Sequence, residues 1–87
     1  MEIKTQKVGK VLVSPYKLGI VVTLGKIGSE SFTNIKKNLK ITGGTLNYHL
    51  LFLQKEGLVE KTDNGEYTLS DEGKQVFRIV KSVASKE

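Results

Sequence analysis

The sequence predicts a mainly α-helical domain that carries one small β-hairpin, an α+β fold, and three observations support this prediction. Apolar residues recur every three or four positions in several segments, which is the spacing of one helix face. Ser, Thr and Gly residues stand where these segments begin and end, as helix caps do. A turn sequence, Asp63-Asn64-Gly65, separates two short segments of strand-forming residues. At 87 residues, the chain is long enough for one domain.

The first half of the predicted domain begins with residues 1–13, which are rich in lysine at their start and predict an arm or a short helix. A clear helix start follows at Ser14-Pro15. Ser caps a helix, and Pro at the first position gives up an N–H group that has no partner there. An apolar stripe over residues 18–24 continues this helix until Gly25 and Gly28 end it.

Two further helices follow in close succession. Ser31 begins the first, whose apolar positions are Phe32, Ile35 and Leu39. Thr42 caps the second, which we predict over residues 43–56. Gly57 ends it, because a left-handed backbone at this position costs Gly little.

The hairpin over residues 58–69 has two possible registers. A two-residue Asn-Gly loop would put Val59 and Leu69 on opposite faces. A three-residue loop with Gly65 in the left-handed region pairs Val59 with Leu69 and Lys61 with Tyr67. We predict the second register, because it places both apolar residues on one face.

The last predicted helix begins after Ser70, which is its N-cap. Asp71 and Glu72 lie in its first turn, where the helix dipole favours negative charge. Its apolar residues form one stripe: Val76, Phe77, Ile79, Val80 and Val83.

Composition excludes several classes of function. The chain has no Cys and one His, which excludes disulfides, thiolate metal sites and cysteine nucleophiles and leaves too few ligands for a multi-histidine site. The spacings of a Ser-His-Asp triad, a carboxylate pair or a Walker loop are absent. We therefore expect a protein that is not an enzyme and that holds no metal or cofactor. No apolar run of about 18 residues predicts a membrane span, so we expect no membrane partner and a cytoplasmic location.

The charge balance is basic, with 14 Lys and Arg residues against 9 Asp and Glu residues and a net charge of +5. Such an excess on a small domain indicates a polyanionic partner. It is equally compatible with a surface that only keeps the protein in solution. Composition does not decide between these two interpretations.

The order helix, helix, turn, helix, hairpin, helix resembles the winged helix-turn-helix transcription regulators of the ArsR and MarR type, particularly the small archaeal ones. FTNIKKNL at 32–39 resembles the supporting helix. TGGTLNYHL at 42–50, followed by EGLV at 56–59, resembles the recognition helix and the entry to the wing. YTLSDEG at 67–73 is similar to the return strand and the capped last helix. The resemblance implies three parts of one domain: an arm or helix at 1–13, a DNA-binding winged helix at 14–72 and a dimerisation helix at 73–87.

The candidate DNA contacts follow from this assignment, because a recognition helix reads base edges in the major groove with its first turns. Asn47 is the best candidate for a base contact, since a carboxamide pairs bidentately with adenine. Tyr48 could contact a phosphate or a thymine methyl group. Gly43 and Gly44 could contact a phosphate through their N–H groups, or they could only form the turn before the recognition helix. The predicted set is Lys36, Lys37, Lys40, Gly43, Gly44, Thr45, Asn47, Tyr48, Lys61 and Asn64.

Three neighbouring features qualify the predicted recognition helix. Leu51 and Phe52 stand where the family usually has polar or basic residues, which predicts a covering neighbour or an unusual exposed patch. His49 is expected to be a half-buried packing residue. On the wing, Glu60, Asp63 and Glu66 surround Lys61, so we expect the wing to add modest affinity.

We predict that the protein is a DNA-binding transcription regulator whose partner is double-stranded DNA. It would then be found at the nucleoid and would act most simply as a repressor. The stripe of the last helix predicts a homodimer formed by Val76, Phe77, Ile79, Val80 and Val83. Alternatively, this helix only folds back on its own core. Two alternatives for the whole protein remain open, a winged helix that binds another protein and a nonspecific packaging protein.

Overall fold

The structure, a computed structural model, describes residues 2–85 of the chain and the side chains of residues 6–83. Met1 and residues 86–87, which the predicted arm and last helix include, lie outside the described residues. The elements in chain order are α1 (Glu2–Leu12), α2 (Pro15–Ile27), β1 (Ser29–Glu30), α3 (Phe32–Leu39), α4 (Gly43–Lys55), β2 (Val59–Lys61), β3 (Tyr67–Leu69) and α5 (Asp71–Ser85). The predicted fold class, mainly helical with a small sheet, is confirmed.

The helix starts are fixed by side-chain caps at the predicted positions. Ser14 Oγ accepts a hydrogen bond from the Lys17 N–H group, at 3.3 Å, and Ser31 and Thr42 cap α3 and α4 in the same way. Ser70 Oγ accepts from the Gly73 N–H group at 3.0 Å. Each bond satisfies a backbone donor that has no partner inside its helix. All four predicted N-caps are therefore confirmed.

The N-terminal segment is a helix packed against the rest of the domain, so of the two forms predicted for it, an arm or a short helix, the structure has the helix. Val8 and Val11 are buried in the core. Lys7 Nζ donates to the main-chain oxygen of Glu56 at 2.6 Å and lies 3.1 Å from a carboxylate oxygen of Glu72. Glu56 caps the C-terminal end of α4, where the helix dipole favours a cation. The lysines of this segment thus fasten α1 to α4 and α5.

The hairpin has the predicted register, with Val59 opposite Leu69 and Lys61 opposite Tyr67. Gly65 has φ 84°, in the left-handed region that the three-residue loop requires. The sheet also has a third strand that the sequence does not predict. Residues 29–30 pair antiparallel with β3, which makes β3 the central strand in the order β1-β3-β2.

A single core lies between the helices and the sheet, and α2 runs through its middle. The other helices all contribute buried residues to this core: α1, α4 and α5 contribute two or three each, and α3 contributes Ile35. The largest fully buried side chains are those of Ile20, Leu24, Ile35, Leu46, Leu50, Leu53, Leu58, Val11, Val21 and Val76. Within residues 2–85, no single helix is long and apolar enough to span a membrane; residues 6–12 and 15–27 reach that length together, but they are bent by 108°.

Candidate nucleic-acid interface

The helix α4 is held in place by one apolar face. Leu46, Leu50 and Leu53 are at most 1% exposed and anchor it in the core. Successive residues of an α-helix are rotated by about 100°, so the opposite face must point into solvent. The four residues nearest the middle of that outer face are Gly44, Tyr48, Leu51 and Lys55, and all four are exposed.

Asn47 lies at the edge of this outer face and is exposed. Its amide forms no hydrogen bond with the described part of the chain, which leaves both its donor and its acceptor available. Tyr48 is 63% exposed, and its ring stands edge-on against the ring of His49 at 5.1 Å between centroids. The two side chains predicted to read DNA are therefore both accessible on α4.

The first turn of α4 separates the roles of the other predicted residues. Thr45 is half-buried, and its hydroxyl accepts a hydrogen bond from the Thr42 hydroxyl at 2.9 Å, so it belongs to the cap. A Cβ at Gly43 would lie 3.8 Å from the Phe32 ring, whereas a Cβ at Gly44 would meet no atom within 4 Å. Gly44 thus borders open solvent, and Gly43 packs against α3.

The helix-turn-helix segment carries nearly all of the chain's excess charge. Residues 31–55 contain four lysines and no acidic residue. The other ten basic residues are almost balanced by the nine acidic ones, which leaves a net charge of only +1 outside this segment. The lysines are Lys36, Lys37, Lys40 and Lys55, and all four are exposed. Lys55 was not among the predicted contacts, although its spacing from Leu51 would have placed it on the outer face.

Lys40 has a backbone conformation that is unusual for its residue type. It caps the C-terminal end of α3 with φ 55° and ψ 50°, in the left-handed region, and its N–H group donates to the carbonyl groups of Lys36 and Lys37. Gly is the common residue at such a position because its backbone is not strained there. The chain therefore places an exposed cation at a site where Gly would be more stable.

The wing is less suited to a polyanion than α3 and α4. Lys61 and Asn64 are exposed, and the Lys61 ammonium lies 5.4 Å from the centroid of the Tyr67 ring. Glu60 and Asp63 are exposed beside them. The wing therefore has an unfavourable local charge for contacting phosphates.

A cation that sequence reasoning missed lies between α2 and α4. Lys17 is only 9% exposed, and its ammonium lies 3.1 Å from His49 Nδ1 and 4.5 Å from the Phe52 ring centroid. Burial, and to a smaller extent the charge of Lys17, lower the pKa of His49 below its ordinary value of 6.5. His49 is thus a neutral, half-buried acceptor, in agreement with its predicted packing role.

The predicted dimer stripe divides between two environments. Val76 and Val80 are at most 3% exposed and belong to the chain's own core. The Phe77 ring covers Gly25 and is half-buried. Ile79 and Val83 are 39% and 52% exposed. Burial of Val76 and Val80 corrects their assignment as contacts to a second subunit, because the fold itself already occupies their surfaces.

The described residues contain no group of three His, Cys, Asp or Glu side chains that could hold a metal ion. The polar groups exposed on α3 and α4 are ammonium, amide, hydroxyl and phenol groups. Such groups bind phosphates and base edges. The chemistry of these groups therefore suits contacts with a nucleic acid.

Comparisons with known proteins give a family and a fold. The family model described as HxlR-like helix-turn-helix matches residues 11–86. No curated protein matches the chain by sequence. The chain is similar in structure to HlyU from Vibrio cholerae N16961, with a TM-score of 0.77, 24% sequence identity and coverage of 92% of this chain and 90% of that chain.

Two further solved structures are similar over nearly the whole chain. The quinone-bound YodB from B. subtilis has a TM-score of 0.76, 23% identity and 97% coverage of both chains. A transcriptional regulator homologue protein from Pyrococcus horikoshii OT3 has a TM-score of 0.73, 28% identity and coverage of 98% of this chain and 93% of that chain. The winged helix-turn-helix fold is thus shown, and the chain belongs to the HxlR-like helix-turn-helix family of DNA-binding transcription regulators, which are not enzymes.

Proposed function

We propose that this protein is a homodimeric repressor that inserts α4 into the major groove of a specific operator. The observation that carries this proposal is the exposed outer face of α4 within a segment of four lysines and no acidic residue. We also propose that, among the winged-helix regulators, the protein is of the ArsR and MarR type. Action at DNA also assigns the protein to the cytoplasm, at the nucleoid.

Base reading in this proposal depends on Asn47. Its free carboxamide can donate from Nδ2 to adenine N7 and accept at Oδ1 from the adenine N6 amino group, and this bidentate pair discriminates against other bases by about 1–3 kcal/mol. The α4 helix of 13 residues is about 20 Å long. It is narrow enough for the major groove, which is about 12 Å wide.

Affinity in this proposal comes mainly from the exposed lysines. Each lysine that neutralises a phosphate releases condensed counterions, so binding weakens as salt increases. Lys36, Lys37 and Lys40 supply these contacts beside α4. The wing adds a weak contact through Lys61 and Asn64, because its carboxylates repel the backbone.

The homodimer in this proposal uses Ile79 and Val83, which face solvent on α5. Two-fold dimers of this kind read half-sites about 34–36 Å apart, one turn of DNA. The longest extent of one chain is 31 Å, which is of the same order as that spacing. Repression follows when the operator that the protein occupies lies within a promoter.

The test is a salt-titrated binding measurement on duplex DNA. The probes are a duplex from the protein's own upstream region and a scrambled duplex of the same composition. We expect the wild type to prefer the first duplex and Asn47→Ala to lose this preference while it keeps nonspecific binding. Lys37→Gln should lower the slope of log affinity against log salt by about 1, whereas the control Lys74→Gln, on α5, should not change it.

Other results of these measurements would contradict parts of the proposal. Equal and salt-sensitive binding to both duplexes would indicate nonspecific packaging. A strict monomer in sedimentation at micromolar concentration would contradict the homodimer, and Ile79→Glu with Val83→Glu should produce that monomer from a wild-type dimer.

A second candidate function is a winged helix that binds another protein. The exposure of Leu51 and Tyr48, 56% and 63%, favours it, since apolar side chains of this size are common in protein interfaces. Salt discriminates between the two functions, because an apolar interface resists salt that would release DNA. Absence of binding to either duplex at low salt would favour this candidate.

A further inference from the structure

The outer face of α4 carries a leucine that the described chain leaves more than half exposed. Leu51 is 56% exposed, although Leu46, Leu50 and Leu53 already supply the face that anchors the helix. It lies one helical turn after Asn47 and adjacent to Tyr48. An apolar side chain in this position gains stability only when another apolar group covers it. The sequence alone left the role of Leu51 open.

A cleft surrounds this leucine and has a mixed chemical character. Its volume is about 300 Å³, and it is lined by Tyr48, Leu51, Phe52 and Lys55. Two ring systems and the leucine side chain form apolar walls. One cation, the exposed Lys55, lines the cleft, and the ammonium of the buried Lys17 lies 4.5 Å from the centroid of the Phe52 ring.

The bordering charges indicate which apolar group this cleft receives. The helix α4 contains no acidic residue, so the apolar cleft opens onto a surface that attracts anions. In the major groove, thymine presents a C5-methyl group between phosphates, and apolar side chains are the groups that contact it. An apolar group flanked by negative charge is the complement of an apolar cleft that is lined by Lys55 and lies on a helix without acidic residues.

We propose that Leu51, together with the ring of Tyr48, reads the C5-methyl group of a thymine in each half-site. This inference rests on the proposed insertion of α4 into the major groove. Leu51 lies four residues after Asn47, which corresponds to about 6 Å along the helix. Base pairs are about 3.4 Å apart, so the thymine is about two base pairs from the base that Asn47 contacts.

The experiment begins with a library of duplexes carrying about 25 randomised base pairs, enough for two half-sites one helical turn apart. Wild type and Leu51→Ala are used to enrich binding sequences. Each enriched thymidine is then replaced by deoxyuridine, which removes the methyl group and leaves base pairing unchanged. We expect the affinity of the wild type to fall about fourfold when deoxyuridine replaces one particular thymidine of a half-site. This factor corresponds to the free energy of burying one methyl group.

Two variants separate methyl recognition from general binding. Leu51→Ala should bind the thymine and uracil duplexes with equal affinity, and Leu51→Met should keep the difference. Lys37→Gln, the phosphate control, should weaken both duplexes by the same factor. Because Leu51 is exposed, its replacement leaves the fold intact, and circular dichroism checks this.

The outcomes distinguish this inference from the function on which it rests. An enriched sequence that requires Asn47 but shows no uracil effect at any thymine would overturn the role of Leu51 and retain the proposed function. A uracil effect that persists in Leu51→Ala would do the same. Absence of any enriched sequence would overturn both.

Discussion

Replacement of Gly73 by Ala should destabilise the joint between α5 and the wing. A Cβ at Gly73 would overlap the carbonyl oxygen of Leu58 and lie 3.2 Å from Leu69 Cβ. The Leu58 carbonyl is fixed, because it accepts a hydrogen bond from the Ser70 N–H group at 2.9 Å. The overlap can therefore be relieved only if the start of α5 moves away from β2 and breaks this bond.

The size of the effect follows from three contributions. Overpacking a core position costs about 2 kcal/mol, and a buried carbonyl that loses its partner costs about 2 kcal/mol. Ala is favoured over Gly in a helix by about 1 kcal/mol. The expected loss in the free energy of unfolding is thus about 3 kcal/mol, which lowers the melting temperature of a domain of this size by about 15 °C.

Gly9→Ala is the matched control, since it makes the same substitution inside α1. A Cβ at Gly9 would meet no atom within 4 Å, so only the helix preference remains, and the melting temperature should increase by about 4 °C. Thermal unfolding followed by circular dichroism at one chain concentration measures both variants. The reasoning is refuted if Gly73→Ala melts at or above the wild-type temperature, or if both variants shift by the same amount.

Three further predictions concern charged and titratable side chains. Lys40→Gly should increase stability by about 1 kcal/mol, because it removes a strained left-handed backbone, and should weaken DNA binding; an unchanged salt slope would contradict the second part. Acidification below pH 6.5 should destabilise the fold, because the unfolded chain takes up a proton near pH 6.5 whereas folded His49, with its lowered pKa, takes it up only at a lower pH. His49→Gln should flatten this dependence in urea unfolding at several pH values, and an equal slope would exclude His49 as its source. Lys7→Met should lower the free energy of unfolding by about 1–2 kcal/mol, because it removes the donor to the Glu56 carbonyl. Lys10 is more exposed, so Lys10→Met should lower it by at most about 0.5 kcal/mol. Equal losses for the two variants in urea unfolding would contradict this prediction.

The helix starts and the hairpin were predictable because their causes are local. A Ser or Thr side chain caps the N–H group three residues later, so the signal lies within four residues of sequence. The register of Val59 with Leu69 follows from the alternation of side chains along a strand. For the same reason, the outer face of α4, with Asn47 and Tyr48, could be inferred from the spacing of the three buried leucines.

The remaining features depend on contacts between distant residues. The two-residue strand β1 has no pattern of its own and exists because β3 offers a free edge. Burial of Lys17 requires His49 from another helix, 32 positions later, as its partner.

The tertiary structure likewise decided how the apolar residues of α5 are used. Periodicity showed that Val76, Val80, Ile79 and Val83 belong to one wide stripe. Only the position of α2 and α1 decided which of them the core covers, because burial is a property of what packs against a helix face. The sequence by itself therefore determined the order of the helices and the hairpin and which helix exposes Asn47 and Tyr48, and tertiary packing determined which side chains remain free for a partner.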